Sequence, residues 1–190
     1  MKGMQDDLRQ AFVVSKNEFV KYLRGKKILI LGAMILLIWG LFTAIPYIWG
    51  DGIRDPEYFK NYLGFMHMTI IIVATLFAAD TISSEFESRT ALVIFTRPMK
   101  KSSIYVGKFF AAMAFAVLAI LVYYFLSAVT VLAAAGSLPA YVLASMMFSI
   151  LSAFAATGIA MLFSTIMKRS GTAAILTFFT LLMFTAIIFS

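Results

Sequence analysis

Glu85, Glu87 and Arg89 stand two residues apart in the stretch SSEFESRT, and a carboxylate pair beside a guanidinium is raw material for acid–base catalysis. An intramembrane protease or transferase built on them would need further polar partners in the later segments of the chain. Those segments offer Ser and Thr hydroxyls, which bond readily to the carbonyl one turn back in their own helix. Without an adjacent base, none is an activated nucleophile. The single histidine, His67, excludes an H-E-x-x-H pair of zinc ligands, and the lack of cysteine removes thiol chemistry, disulfides and thiolate metal sites. Neither RGKK nor VGKFF completes G-x-x-x-x-G-K-[ST], so the chain carries no phosphate-binding loop of that type. These residues predict a protein that is not an enzyme, with no catalytic or metal-binding residues and no cofactor bound by this chain.

The elements around them point to a membrane. Of 190 residues, 62% are hydrophobic and 13% charged, against roughly 45–50% and 25% in a soluble domain. A span takes about 20 apolar residues, and five such runs occur, at 28–48, 63–79, 104–135, 141–167 and 172–190. Their lack of polar–apolar alternation argues for helices rather than barrel strands. The expected fold class is therefore all-α, a polytopic transmembrane helical protein. The apolar run at 28–48 is too long, and the 27 residues before it too mixed, for a cleaved signal peptide. Basic residues fall 14 to 2 between alternate flanking segments, which predicts a cytoplasmic N-terminus and a cytoplasmic segment 80–108. The formal charge of +7 is split among those flanks, so no nucleic acid partner is expected.

The chain divides into an N-terminal region, 1–27, and a transmembrane domain, 28–190. In the first, Leu8, Ala11, Phe12, Phe19, Tyr22 and Leu23 share one helical face, opposite Arg9, Lys16, Asn17, Lys21 and Arg24. A basic amphipathic helix that abuts a span reads as an interfacial elbow, in contact with membrane lipid. Further on, Asp55–Pro56 has the form of an N-cap and first helical position of a short outer helix. His67 lies within span two, where an ionisable residue is a functional hypothesis. A neutral imidazole bonded to a neighbouring helix is the simpler reading. Asp80, at the boundary, is expected to be solvated or paired with Arg89 or the elbow's lysines, with a proton relay as the sharper alternative. In span four, small residues recur at Ser149, Ala153 and Thr157, with Ala156, Ala160 and Ser164 beside them, a spacing that allows close helix approach within a subunit or across a dimer.

One stretch interrupts the apolar chain at length: DTISSEFESRTALVIFTRPMKKSSIYVGK, residues 80–108. Ser84-x-x-Glu87 has capping-box spacing, and acids at Glu85 and Glu87 suit the positive end of a helix dipole. Pro98 ends a helix expected over 85–96, and Ser102 or Ser103 is positioned to cap the next one. Ile82, Phe86 and Val93 form an apolar side on that helix, which fits either a groove in another protein or a plain inter-span loop.

The stretch resembles the cytoplasmic loop between spans two and three of ABC transporter type-2 permeases, whose pattern runs acid-x-acid-x-Gly-Thr, apolar patch, Pro, Ser-Arg, Gly-Lys. Glu85, Glu87, Thr90, Pro98, Gly107 and Lys108 fall on it. Arg89 stands where the family usually has Gly, and Lys100–Lys101 where Ser-Arg is usual. The resemblance implies the permease subunit of an ATP-driven exporter in the cell membrane, paired with a second permease copy or paralogue. It implies a coupling loop, carrying Glu85, Phe86, Glu87, Arg89, Thr90, Pro98, Lys100, Lys101, Gly107 and Lys108, that sits on a separate ATPase subunit. ATP and Mg would then be bound by that partner. Leu8, Phe12, Phe19 and Leu23 would be the apolar residues of the elbow. Full-length relatives have six spans against the five counted in this chain, so the expectation is either a chain truncated after its fifth span or an unusually small subunit. A membrane anchor that only recruits a cytoplasmic partner through the same loop is the alternative.

Overall fold

A computed structural model describes residues 2–50, 52–87 and 100–188, apart from the side chains of 2–6 and 188. The described residues form helices and connecting turns, with no strand among them. Helix α1 spans Lys2–Arg24 and α2 spans Lys26–Ile48. A 3-10 turn at Pro56–Tyr58 leads into α3, Phe59–Val73, and a π-helical turn at Ala74–Ala78. The short α4, Ser83–Glu87, precedes α5, Lys101–Ala135, then α6, Val142–Ile166, and α7, Ser170–Ile188. Five stretches are long and apolar enough to cross a membrane: Lys26–Ile48, Pro56–Glu87, Lys101–Ala135, Val142–Ile166 and Ser170–Ile187.

The boundaries have local causes. The Asp55 carboxylate accepts from the Glu57 N–H at 2.9 Å and Pro56 follows it, so the outer helix starts where expected. It runs without interruption into α3, which carries the second span well outside 63–79. At α5 the expectation is corrected: Lys100, not Ser102 or Ser103, is the N-cap. The Lys100 carbonyl already takes the N–H groups of Ser103 and Ile104, at 3.0 and 3.2 Å, and places both serines inside the first turn. Gly136, at φ 76°, ends α5 in the left-handed region open to glycine.

Helix α5 is the central post, burying Ala111, Phe115, Ala119, Ile120 and Tyr123. Against it α3 packs Phe59, Tyr62, Met66 and Val73, and the π turn adds Phe77. On α6 the row Ser149, Ala153, Ala156, Thr157, Ala160 and Ser164 is buried within the chain, so the small residues serve packing inside the subunit. Two hydroxyls on that row are used, since Ser149 lies 3.0 Å from the Tyr124 hydroxyl and Ser164 accepts the N–H groups of Ile82 and Ser83 at 2.9 and 3.2 Å. The buried Thr157 hydroxyl, by contrast, has no hydrogen-bond partner among the described residues. Helices α2 and α7 are the least covered, with 11% and 17% of their apolar windows buried.

Candidate functional site

The site is built where α1 meets the ends of the second and third spans. Helix α1 runs alongside α5 in the same direction. Asp7 and Gln10 meet Lys100, Ala11 and Val14 meet Gly107, Glu18 meets Lys108, and Phe19 and Tyr22 meet Phe115. This splits the apolar face read from the sequence. Ala11 and Tyr22 are buried and Phe19 packs on the core, whereas Leu8, Phe12 and Leu23 are exposed at 66%, 71% and 45%. Three faces result: one against the bundle, one apolar and outward, one basic.

The end of span two is a socket for this helix. There the backbone passes from α to π geometry, a local change frequent at functional sites. The Tyr22 hydroxyl donates to the Phe77 carbonyl at 2.9 Å and lies 2.7 Å from the Thr81 hydroxyl. Burial pushes the Tyr22 phenol well above its ordinary range. Lys27 donates to the Leu76 carbonyl at 2.9 Å and pairs with Asp80. Of the partners expected for Asp80, a lysine at the end of the N-terminal region is therefore the one seen; Arg89 lies outside the described residues.

Lys108 lies at the centre, 2% exposed. Its ammonium donates to Glu18 Oε1 at 2.8 Å, Glu85 Oε1 at 2.5 Å and the Thr81 carbonyl at 3.1 Å. An ammonium has three protons, and each has one of these acceptors. Glu18 Oε2 sits 3.3 Å from Lys21 Nζ, which extends the network to the surface. Three elements, α1, α4 and α5, thus share one buried cation. A Cβ on Gly107 would fall 2.5 Å from the Ala11 carbonyl oxygen and 2.8 Å from Val14 Cβ, so the glycine lets α1 reach the depth at which Glu18 meets Lys108.

The remaining loop residues divide. Glu85 is buried together with Lys108, while Phe86 is half exposed. The capping box is corrected: the Ser84 N–H donates to the Asp80 carbonyl at 2.9 Å. Glu87 Oε2 instead accepts from the Ser170 N–H at 3.0 Å and its hydroxyl at 2.5 Å, capping the start of α7. Lys100 pairs with Asp7 at 2.6 Å, and Lys101 is exposed. Arg89, Thr90 and Pro98, with most of the helix expected over 85–96, lie outside the described residues. Nearer the other end, half-buried His67 lines a cavity of about 510 Å³ with Lys60, Leu63 and Thr185, and a second of about 500 Å³ with Tyr124, Ser145 and Ser149. Among the described residues no three His, Asp or Glu side chains gather as metal ligands.

Over residues 15–185 the chain matches the family described as ABC-2 family transporter protein. The chain belongs to the ABC-2 transporter family. No curated protein matches it. As a member it is a permease component of an ABC transporter, a membrane transport subunit that is not itself catalytic. Members of this family generally work with ABC ATPase subunits.

In this ABC-2 permease sequence reasoning missed Glu18, and also the bonds of Lys27 to the Leu76 carbonyl and of Ser164 to the N–H groups of Ile82 and Ser83. Glu18 carried a signal: it lies seven residues after Ala11 and four before Tyr22, on the side that ends buried. Lys27 and Ser164 carried none, since each meets a carbonyl or N–H that folding alone brings near.

Proposed function

We propose that this permease is the membrane half of an ATP-driven exporter in the cell membrane, with a cytoplasmic N-terminus, driven by a separate ATPase through residues 80–108. The Lys108 cluster carries the reading. A push on the loop that displaces α4 pulls on Glu85, hence on Lys108 and Glu18, so α1 and the start of α5 move with it. Since Glu85, Gly107 and Lys108 face inward while Glu87 and Lys100 are bonded within the chain, the exposed loop residues offered to an ATPase among the described residues are Phe86 and Lys101. ATP and Mg belong to that partner. Closure of its nucleotide-binding dimer would rock two permease copies against each other. The poorly covered α2 and α7 offer the surface for a second copy. An amphipathic or lipid-linked substrate would pass between them.

The test is purification of the tagged full-length chain from its native membrane, with and without residues 88–96. The wild type should bring down an ATPase whose hydrolysis rises with substrate. The deletion should still insert in the membrane, by protease protection, and lose the ATPase. Equal recovery of the ATPase with both chains would overturn the coupling assignment.

A further inference from the structure

Lys21, Lys26 and Lys27 cluster at the break between α1 and α2, and together they line a cavity of about 380 Å³. Tyr22, Gly25, Ile30, Asp80, Thr81 and Ser84 complete its wall. The volume equals that of about a dozen waters, enough for a phosphodiester and its glycerol. Its floor is already occupied by internal bonds. Lys27 is held by Asp80 and the Leu76 carbonyl, and Tyr22 by Phe77 and Thr81. The rim differs. Lys26 is exposed and makes no ion pair among the described residues. Lys21 is 59% exposed and reaches only one oxygen of Glu18, a carboxylate whose other oxygen is engaged by Lys108. Two ammonium groups therefore flank the mouth while the one carboxylate of the wall, Asp80, is spent on Lys27.

The position selects the ligand. Lys26 and Lys27 open the first span and Asp80 closes the apolar part of the second, so the cavity sits at headgroup depth. Directly beyond it Leu29 and Ile30 are exposed at 72% and 49%, a surface for acyl chains and of no use to a free ion. Basic pockets between helices at a membrane boundary hold anionic headgroups in this way. We propose that this cavity binds the phosphate of an anionic phospholipid, with Lys21 and Lys26 as its cationic contacts and the acyl chains along Leu29 and Ile30. The site depends on the spans alone, not on the direction of transport or on any ATPase.

The measurement uses the full chain in nanodiscs of phosphatidylcholine titrated with phosphatidylglycerol, bound lipid being counted by native mass spectrometry. A juxtamembrane lysine supports anionic lipid by about fivefold in affinity, so Lys21→Gln with Lys26→Gln should weaken phosphatidylglycerol retention by about 25-fold. Both side chains are exposed, so the variant should fold, with a melting temperature near wild type. Lys168→Gln with Arg169→Gln, also exposed at a span boundary, should leave retention unchanged. Equal retention of the two lipids by wild type, or equal losses in both double variants, would overturn the site. Displacement of phosphatidylglycerol by millimolar inorganic phosphate would show a free-anion site and overturn the lipid assignment.

Discussion

Replacing Lys108 by Met removes the cation and keeps the length of the stem. Three hydrogen-bond donors disappear from a side chain that is 2% exposed, and two carboxylates, 2.8 and 2.5 Å from the lost ammonium, remain behind. Breaking a buried pair from one side costs about 3–5 kcal/mol, chiefly because the surviving charge is stranded. For a chain of this size 1 kcal/mol corresponds to about 2–4 °C in melting temperature, so the loss should be about 6–20 °C. Exposed Lys101→Met supplies the control and should stay within about 0.5 kcal/mol of wild type. Adding Glu18→Gln and Glu85→Gln to Lys108→Met removes the stranded charges and should recover most of the loss, since a neutral replacement of a whole buried network is often harmless. The assay is thermal unfolding of the four detergent-purified proteins. A Lys108→Met protein within 2 °C of wild type would refute the buried cluster. So would a triple variant no more stable than the single.

Gly107→Ala sets a methyl against backbone, 2.5 Å from the Ala11 oxygen, so α1 itself must move. A cost of about 1–3 kcal/mol is expected, and since the chain has no cysteine, spin labels at Lys16→Cys and Lys101→Cys report the shift; an unchanged distance would refute the contact. Ser164→Ala leaves the N–H groups of Ile82 and Ser83 without their acceptor, which should cost about 1–3 kcal/mol and speed amide exchange at both. Tyr22→Phe should cost about 0.5–1.5 kcal/mol near neutrality. Because burial raises the folded phenol, the unfolded chain ionises first, at about pH 10. The wild-type advantage is thus complete below that pH and is lost above it, so the melting gap between the two proteins should shrink from pH 9 to 11. A constant gap would contradict the burial.

Hydropathy made the five spans legible because the bilayer imposes a length and forbids unsatisfied backbone, both of which act on contiguous residues. The start of the outer helix was legible for the same reason, since Asp55 reaches only two residues along. What the sequence hid is non-local. Glu87 has the spacing for Ser84, yet its carboxylate meets Ser170, 83 residues away. Lys108 reads as one more positive charge at a span boundary, and its burial exists only because α1, 90 residues earlier, closes over it. Leu8 and Phe12 satisfy the helical period as well as Ala11 and Tyr22 do, but the period cannot tell a bundle-facing residue from one facing outward.

That hidden layer changes what the loop motif means. Acid and Gly-Lys positions some twenty residues apart read as one exposed surface when the segment is taken alone. In the fold, Glu85 and Lys108 bond each other and Gly107 accommodates α1. Their spacing is therefore explained by internal closure, in which the acid leaving span two and the N-terminal carboxylate of Glu18 clasp the same lysine entering span three. A partner that grips the intervening residues then needs no direct contact with either, because the clasp already ties that segment to α1, α4 and α5. Mutating the clasp and mutating residues 88–96 should separate accordingly: the first lowers the stability of the purified permease, and the second leaves it unchanged while abolishing ATPase binding. A clasp variant of wild-type stability that loses the ATPase would place Lys108 at the partner surface and undo this division.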